Sequence, residues 1–481
     1  MPVIKINETE QTSFAAFDAT ENTVLIPVLY SRSYKYIEQE VDVESSESGS
    51  DESTVIRVPV YDEGKDVKSK LYTDANVFRK EFTNDENFGG FNHSVLVDSE
   101  LDKSFVMAYE LLLKGLRVVV KPIVIDSIDY ADENDRVSIT LLQAYDFLEE
   151  AISSSQSSAS VFEEFKDRNI YNLKFITTGG YSNIGNVCIS EINEVTGEIT
   201  YKTSSMYMEI MKLAADRGDA IALVEYKDHF DNEKDLLDEI NNFKPSSYIT
   251  SSGLDSRLLS AAFVPWCDFN STISGRGISE FTMPGCFAFL MAYANSVRSN
   301  ANWFAASGVI RGYIPSLIAP TFNIGEALMH TLQQDSEAAS KLDIAINPIY
   351  NAGTYGYRIW GNRVLGGISS NAVEADKYSN FLNIRVLLCD IKKQVYHSAM
   401  RVTFEPNDDI VWINFKTLSN SLLDRMKSGR GISWYKWTKE KSDKLATIVA
   451  ILTIKPIEAV ESFEINIVLT DEEASIEELT A

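Results

Sequence analysis

The pattern of apolar and polar residues predicts strands near the start of the chain. VIKIN (Val3–Asn7) is a short strand candidate followed by a polar stretch. Two apolar β-branched runs, 22–31 and 53–62, then flank the Ser- and Glu-rich segment 38–52, which is too polar to be buried. Two stretches with helical spacing and the apolar run 116–126 come next. This part of the chain therefore predicts a mixture of strands and helices with one exposed loop.

The middle of the chain alternates between helical and strand-like segments. Helical spacing is seen at 139–152, 205–219 and 286–299, and apolar strand-like runs lie between these helices. The longest of the runs is LLSAAFVPWCDF, residues 258–269. Such alternation favours parallel strands covered by helices on both faces.

A long helix is predicted after Asn407, which is a suitable N-cap, and Gly429 is expected to end it. Its apolar stripe should face the core, and it consists of Val411, Phe415, Leu418, Leu422 and Met426. Lys416, Asn420 and Lys427 then point away from the core and are free to meet a partner. The segment LATIVAILTI, residues 445–454, is predicted to be a buried strand.

The last apolar segment has the period of a half-buried strand. Phe463, Ile465, Ile467 and Leu469 occupy every second position, and only Val468 breaks the alternation set by Glu464 and Asn466. An acidic tail, DEEASIEELTA, follows this strand. Because no local turn connects the strand to its own chain, the pattern predicts pairing with another chain.

The length and the charge exclude several classes of protein. A chain of 481 residues predicts two to four domains. Its formal net charge of -26, from 44 Lys and Arg against 70 Asp and Glu, argues against binding to nucleic-acid backbones or anionic lipid. A secretion signal and a long apolar span are not seen, so folding in the cytosol is expected. The four scattered cysteines predict buried free thiols.

Residue patterns for catalysis, metal binding or cofactor binding are not found. The four histidines do not have metal-binding spacing, and GGYSNIG, residues 179–185, lacks the ending of a phosphate-binding loop. One charge feature differs from the rest of the chain: residues 383–444 hold twelve bases and seven acids, which gives this stretch a charge of about +5. A solvated face and a surface for an acidic partner are both compatible with it.

Several segments occur in the order found in tail sheath proteins of contractile bacteriophages and related injection systems. They are residues 258–269, FTMPGCFAFLMAYANSVRSNANWFAASGVIRGY, INPIYNAGTYGYRIWGNRVL, FLNIRVLLCDIKKQV and FEPNDDIVWINFKTLSNSLL. Asn347, Trp360, Gly361, Arg363 and Arg385 carry the similarity in the third and fourth segments, while Met283-Pro284-Gly285 departs from the family's turn. Taken together, the chain resembles this family from about residue 60 onward.

The resemblance implies a fold class and a division into domains. The fold would be α/β and α+β multidomain, with a central domain that is subtilisin-like in fold and a C-terminal α+β sheath domain. The implied parts are an N-terminal arm (1–20), a β-rich N-terminal domain (21–125), the subtilisin-like domain (126–345), the sheath domain (346–460) and a C-terminal arm (461–481).

In the family, subunits are joined when the arms of one subunit complete a sheet in its neighbours. The resemblance therefore assigns the inter-subunit contacts to Val3, Ile4, Lys5, Ile6, Asn7, Phe463, Glu464, Ile465, Asn466, Ile467, Val468 and Leu469. The surface proposed to face the tail tube consists of Lys416, Asn420 and Lys427. Neither a cofactor nor a metal is implied.

The function implied by the resemblance is mechanical. Stacked rings, expected to be hexameric, would surround a tail tube, contact baseplate and tail terminator proteins, and contract to drive the tube through an envelope. This sheath would belong to a virion tail assembled in the host cytoplasm. A hydrolase that uses the subtilisin-like domain and an acidic capsid or adhesin component are the alternative functions. The first lacks a Ser-His-Asp arrangement, and the second would lack the two arms.

Overall fold

The structure is a computed structural model that describes most of the chain. The described residues are 22–32, 34–43, 52–61, 67–82, 95–126, 129–130, 137–153, 162–181, 188–192, 199–203, 206–242, 250, 255–270, 280–333, 342, 344–366, 380–440 and 447–459. Both predicted arms, Val3–Asn7 and Phe463–Leu469, lie outside these residues.

Strands and helices alternate along the described ranges. The strands are β1 (Thr23–Ser31), β2 (Tyr34–Val43), β3 (Glu52–Tyr61), β4 (Lys70–Tyr72), β5 (Val95–Val97), β6 (Glu100–Leu101), β7 (Arg117–Ile125), β8 (Val137–Ile139), β9 (Phe175–Ile176), β10 (Cys188–Ile192), β11 (Ile199–Thr203), β12 (Ile221–Val224), β13 (Ser260–Val264), β14 (Cys267–Asn270), β15 (Glu280–Met283), β16 (Leu317–Pro320), β17 (Asn347–Asn351), β18 (Tyr357–Ile359), β19 (Ile432–Glu440) and β20 (Val449–Pro456). The α-helices are α1 (Ala75–Phe82), α2 (Lys103–Leu113), α3 (Leu141–Ser153), α4 (Met206–Arg217), α5 (Glu233–Asn242), α6 (Gly285–Val297), α7 (Gly308–Arg311), α8 (Glu326–Gln333), α9 (Leu382–Val402) and α10 (Asp409–Ser428).

A large sheet forms the centre of the molecule. In the part of the chain that the structure describes it has eight strands, in the order β18-β17-β13-β12-β9-β1-β7-β4. The six inner strands pair in parallel, and the short strands β4 and β18 are antiparallel to their neighbours. Parallel strands between helices were predicted for the middle of the chain, and this prediction is confirmed.

Strand β1 is buried along its whole length, as expected for a strand in a sheet that is covered on both faces. All nine residues of TVLIPVLYS are buried, and they pair in register with β7 from Thr23 opposite Arg117 to Ser31 opposite Ile125. A continuous apolar run suits a strand that packs against helices on each side. Strands β1, β9 and β17 belong to one sheet, although the predicted domain boundaries at residues 125 and 345 separate them in sequence. The large sheet therefore contains strands from each of the three predicted domains.

Helix α6 covers one face of this sheet and is nearly all apolar. Eleven of its 13 residues are buried, and the ring of Phe289 stacks on that of Phe263 at 4.3 Å between centroids. The helix begins at Gly285, where a Cβ atom would lie 2.4 Å from the carbonyl oxygen of Phe263. Glycine is therefore required at this close approach between helix and strand.

Three local predictions were wrong. Segment 38–52, predicted to be a loop, includes the second half of β2, which pairs with β3 in a hairpin. Residues 258–269, predicted to be one strand, form β13 and β14 in two different sheets. The strand predicted to be buried at 445–454 is β20, of whose eight residues four are exposed and one is buried, and it pairs with β19, a strand that the pattern did not predict.

The predicted free thiols are confirmed where the structure describes them. Cys267, Cys286 and Cys389 are buried and unpaired. Burial raises the pKa of each of these thiols, which keeps them protonated and weakly reactive. They act as small core residues.

Glu239 on α5 is a buried acid with an unsatisfied oxygen. Its side chain has 8% exposure, and its Oε1 atom has no hydrogen-bond partner among the described residues. Burial raises the pKa of Glu239 from 4.5 to about 7, while Lys227 opposes the rise. Between pH 4.5 and about 7, this carboxyl is therefore protonated in the folded protein and ionised in the unfolded chain.

Replacing Glu239 with Gln should remove a pH dependence of stability. The raised pKa stabilises the folded wild type at low pH, and this contribution is lost as the pH rises through about 7. The melting temperature of Glu239→Gln relative to wild type should therefore increase between pH 5 and pH 8. A difference that stays constant over this range would contradict the assignment.

Candidate assembly site

The C-terminal part of the described chain combines two long helices with a β-hairpin. Helix α9 has 21 residues and α10 has 20, and the short segment 403–408 joins them. The carboxylate of Asp408 caps α10 by accepting from the N–H groups of Ile410 and Val411 at 2.9 and 3.0 Å. The predicted N-cap, Asn407, is therefore one residue too early. Gly429 follows the last helical residue, as predicted.

A second, smaller core holds this part together. It consists of Trp303, Leu387, Ile391, Leu422, Leu423, Met426 and Ile432. On α10 the predicted apolar stripe is buried at four of its five positions and half-buried at Leu418, and Ser419 and Leu423 are buried as well. The inner face of α10 was thus largely predictable from its periodicity.

Trp303 attaches this smaller core to the rest of the molecule. It follows α6 in sequence, has 7% exposure, and donates from Nε1 to the carbonyl oxygen of Gly429 at 3.0 Å. At Gly431 a Cβ atom would lie 3.0 Å from the same nitrogen, and at Gly429 it would lie 2.7 Å from the ring. Two glycines therefore let the backbone close around the indole.

A buried polar network fixes α9 against the large sheet. Lys174, next to β9, donates to Asp390 of α9 at 3.2 Å and to the side chain of Asn22 at 3.1 Å. Asn302 also donates to Asp390, at 2.7 Å, and Tyr293 donates to Asn22 at 2.8 Å. Burial raises the pKa of Asp390, and the ammonium of Lys174 opposes that rise. The network joins α9 to the residue that precedes β1.

The β19–β20 hairpin packs against α10 through aromatic side chains. Trp437 lies 5.1 Å from Phe415 between ring centroids, and its Nε1 donates to the side-chain oxygen of Asn420 at 3.1 Å. The opposite face of the hairpin is open, since Trp434 is 46% and Ile451 is 41% exposed. Exposed large apolar side chains on a sheet face are typical of an interaction surface.

The outer edges of this hairpin are long. Strands β19 and β20 have nine and eight residues, whereas β4 and β18 at the edges of the large sheet have three each. Within the ranges that the structure describes, β19 and β20 pair only with each other. Unpaired N–H and C=O groups along such edges can accept a strand from another chain.

The three residues proposed to face a tube do not form one exposed group. Lys416 is half-buried, with Nζ 5.4 Å from the ring centroid of Trp412. Asn420 is half-buried and accepts from Trp437 of the hairpin, so the hairpin covers part of the side of α10 that was predicted to point away from the core. Lys427 is exposed. Sequence reasoning missed Trp303 and β19. In β19 a bulge between Ile432 and Trp434 adds one residue, and once that residue is allowed for, Ile432, Tyr435 and Trp437 follow the alternation of a strand.

Within the described part of the chain, His, Cys, Asp and Glu do not gather in groups of three or more that could hold a metal ion. His229 is mostly exposed, 3.5 Å from Asp231. Gly179, in the predicted plain loop, approaches β1 so closely that a Cβ atom would lie 2.7 Å from the carbonyl oxygen of Pro27. No helix among the described residues is both long and apolar enough to span a bilayer.

Replacing Trp303 with Ala should loosen the C-terminal part of the molecule. The change leaves a cavity between the two cores and removes a hydrogen bond, and burial losses of this kind cost about 3–5 kcal/mol. The free energy of unfolding, measured in urea on the unassembled protein, should fall by that amount. Trp434→Ala is the matched control, because Trp434 is 46% exposed and its loss should cost less than about 1 kcal/mol. Equal losses in the two variants would contradict the role given to Trp303.

Solved structures resemble this chain over nearly its full length. The sheath complex of an extracellular contractile injection system, PVC, in its contracted state has a TM-score of 0.53 at 11% identity, covering 98% of this chain and 99% of that chain. The helical sheath of the anti-feeding prophage (AFP) in its contracted state gives 0.48 at 11% identity, covering 98% and 100%. The AFP baseplate, 6-fold symmetrised, gives 0.47 at 11% identity, covering 98% and 99%.

No protein-family profile and no curated protein matches the sequence. The likeness to the PVC sheath complex is therefore a likeness of fold, and it covers 98% of the chain. It confirms in fold the resemblance that the ordered segments indicate: this chain has the fold of a contractile sheath protein.

Proposed function

We propose that this chain is the structural subunit of a contractile sheath that polymerises around a tube and shortens to drive the tube through an envelope. The observation that carries the proposal is the match in fold to the PVC sheath complex over 98% of the chain. The long open edges of the β19–β20 hairpin support it independently, because a subunit that polymerises by strand exchange needs such an acceptor.

The joint between subunits is a sheet built from several copies. In this proposal Val3–Asn7 and Phe463–Leu469 of neighbouring subunits pair with the outer edges of β19 and β20. Seven residues in extended form span about 23 Å, which is comparable to the length of either hairpin strand. Each backbone hydrogen bond contributes roughly 0.5–1.5 kcal/mol, so a few of them per arm give a joint of several kcal/mol.

Contraction is then a rearrangement of rigid bodies linked by these joints. The energy comes from a difference in packing between an extended and a shorter state, since each subunit keeps its covalent bonds unchanged. The proposal includes a β-rich N-terminal domain at 21–125, a domain at 126–345 that is subtilisin-like in fold, a sheath domain at 346–460, and the two arms. Three of the six parallel inner strands of the large sheet, β9, β12 and β13, lie within 126–345 and support an α/β fold for that stretch.

The proposal also specifies the assembly. Subunits form hexameric rings stacked in a helical sheath, which contacts the tube, the baseplate and a tail terminator. The particle is a phage tail used for genome ejection or a related injection system, assembled in the host cytoplasm.

The contact with the tube is proposed to involve the exposed side of α10. Lys427 is its best-supported member, because this side chain is exposed and makes no ion pair with the described residues. Lys416 is half-exposed beside Trp412 and would act with it. Asn420 would contribute by positioning Trp437 rather than by direct contact. Exposed ion pairs of about 0–1 kcal/mol each suit a contact that must release during contraction.

Deleting residues 462–481 should give a folded protein that no longer forms long polymers. The deletion removes the predicted strand and leaves every residue of the hairpin up to Ala459 in place. Electron microscopy and sedimentation should show discrete particles instead of tubes. Deleting residues 2–8 should have the same effect through the other arm.

A shorter deletion, of residues 471–481, is the matched control because it keeps Phe463–Leu469. It should still yield polymers. Polymers formed equally well without residues 462–481 would contradict strand exchange through this arm.

Reversing the charges of Lys416 and Lys427 to Glu should weaken binding of the tube and spare sheath-only polymers. Losing two exposed ion pairs and adding repulsion should lower tube affinity by up to about tenfold at low salt. Lys234→Glu is the matched control, since Lys234 is an exposed lysine on α5. Co-sedimentation with tube is the measurement. Unchanged tube binding at low salt would contradict the proposed contact.

A further inference from the structure

Apolar side chains are exposed at the end of the helix pair where α9 turns into α10. Phe404, in the connection 403–408, is 90% exposed, and Ile410 and Ile413, near the start of α10, are 65% and 55% exposed. The two isoleucines are three residues apart and so lie side by side on the helix. The group of Phe404, Ile410 and Ile413 is called the apolar knob below. Clustered apolar side chains in water are typical of an interaction surface.

The backbone at Phe404 has a conformation that favours glycine. Its φ is 73°, and Thr403 before it has φ -68° and ψ 137°. The N–H of Glu405 donates to the carbonyl oxygen of Val402 at 3.4 Å. These are the features of a type II turn with Phe404 at its third position, where glycine is usual. A bulky side chain there strains the backbone, and its burial against a partner would offset that strain.

The outer face of the β19–β20 hairpin is a second exposed surface. Residues directly opposite each other in an antiparallel pair share a face, and the inner face of this hairpin packs on α10 and the smaller core. The outer surface is called the hairpin face below and consists of Trp434, Lys436, Thr438, Ile451, Thr453 and Lys455. Its aromatic and aliphatic members, Trp434 and Ile451, are each more than 40% exposed.

Acidic side chains surround the apolar knob. Residues 401–414 contain three acids, Glu405, Asp408 and Asp409, and one base, Arg401. The carboxylate of Asp408 caps α10, which leaves Glu405 and Asp409 exposed beside the knob. The knob is therefore apolar with an acidic rim.

The bases closest to this rim are engaged with an aromatic ring. Lys416 and Lys439 lie with Nζ 5.4 and 6.0 Å from the ring centroid of Trp412. Lys439 also comes within 3.8 Å of Asp409, but that carboxylate is 96% exposed, so the pair is weak. The acidic rim thus stays available to a partner.

The hairpin face is basic in its middle. Lys436 and Lys455 are exposed, and neither side chain forms an ion pair with the residues that the structure describes. Beyond one end of the strands lie one base and one acid, Arg430 and Glu458, and Glu440 ends β19 at the other. The face therefore combines apolar side chains with two lysines that lack acidic partners in the described chain.

We propose that the apolar knob of one copy of this chain docks on the hairpin face of a neighbouring copy. Each surface has apolar side chains that the described chain leaves exposed, and the acidic rim of the knob matches the lysines of the face. Copies that each carry a charge of -26 repel one another unless an acidic region meets a basic one. The inference rests on the proposed function, because the polymer supplies the neighbour.

The contact joins two different surfaces, so its repetition produces a ring or a helix rather than a closed pair. The arms of the proposed function pair with the edges of the hairpin and leave its outer face free. The proposed tube contact is also separate, since Lys427 lies 14 residues after Ile413 and hence about 21 Å further along α10. All three contacts can therefore form on one subunit.

The first test uses Phe404→Gly, which should affect folding and assembly differently. Glycine suits the positive φ, so the urea midpoint of the unassembled protein should stay level or rise. The critical concentration for polymerisation should rise about tenfold, because a buried aromatic ring is lost from the contact. Ile310→Ala is the matched control, since Ile310 is 84% exposed on α7 and its loss should change neither quantity.

Two results of this test would overturn the inference. One is a Phe404→Gly variant that polymerises like wild type. The other is a urea midpoint that falls together with assembly, which would show that the ring packs within its own chain.

The second test asks whether the knob meets the hairpin face. Trp434→Ala should also raise the critical concentration about tenfold. If Phe404 and Trp434 belong to one contact, the double variant should be no worse than either single variant, whereas independent contacts would multiply to about a hundredfold.

Charge reversal tests the match between rim and lysines. Lys436→Glu with Lys455→Glu should weaken polymerisation at about 0.1 M salt, where charges act over about 10 Å. Adding Glu405→Lys and Asp409→Lys to the same chain should restore it. Failure of the fourfold variant to recover, while wild type polymerises, would contradict the match.

Cross-linking identifies the neighbour directly. A photo-reactive phenylalanine analogue at position 404, in polymers mixed from two isotope-labelled pools, should cross-link to β19 or β20 of another copy. Cross-links within one chain, to other surfaces, or to the tube protein in complete sheaths would overturn the inference alone. A wild-type chain that forms no polymers would overturn both the inference and the proposed function.

Discussion

The attachment of α9 and α10 to the large sheet is the contact on which the rest of the structure depends. It has an apolar part, in which Trp303 fills the smaller core and bonds to Gly429, and a polar part, in which Lys174 pairs with Asp390. Both members of the ion pair are fully buried. Burying two charges costs several kcal/mol of hydration free energy, and their mutual attraction offsets only part of this cost. The pair therefore contributes more to fixing the position of α9 on the large sheet than to net stability.

That fixed position of α9 has a mechanical consequence. Asn22 accepts from Lys174 and from Tyr293, so the residue before β1 and the middle of α9 meet in one network. Force applied to the chain ahead of β1 would therefore act on the large sheet and on α9 together. The hairpin, in contrast, touches the remainder mainly through α10 and the smaller core. A rigid body with an open hairpin edge on one side is what the proposed joint between subunits requires.

The edges of the two sheets show where the chain is protected from pairing and where it is open. Both ends of the large sheet are short antiparallel strands of three residues, which offer little backbone to another chain. The β19–β20 hairpin offers eight or nine residues on each side. A two-stranded hairpin is marginally stable by itself, and here α10 supports one face through Trp437 and Phe415. The other face, with Trp434, still has apolar area to cover.

Periodicity in the sequence predicted the elements whose burial is decided locally. The helices α4, α6 and α10 follow their apolar spacing, and the continuous apolar run of β1 was recognisable as a buried strand. It could not predict that β1 would lie beside β9 and β7, because pairing between distant strands leaves no local pattern. Residues 258–269 were read as one strand for the same reason, since Val264 and Cys267 are equally buried but belong to different sheets.

The candidate site was predictable in its apolar face and not in its polar one. Burial of Val411, Phe415, Leu422 and Met426 follows from spacing, but a polar residue on the opposite side gives no sign of whether it meets water or another element. Asn420 meets Trp437, whose strand had not been predicted, so its orientation could not be derived. The position of the basic residues was also not predictable. The excess of bases in residues 383–444 is visible in the sequence, but only the fold places Lys392 and Arg401 on α9 and Lys427 on α10.

This separation matters because the chain as a whole is strongly acidic. Copies with a charge of -26 repel one another, so in the proposed sheath the free energy of assembly has to come from contacts that are insensitive to that charge. Backbone pairing along a hairpin edge is such a contact, and so is burial of an apolar face that carries Trp434 and Ile451. In the proposed sheath, joints of this kind can therefore persist while the charged surfaces around them exchange partners.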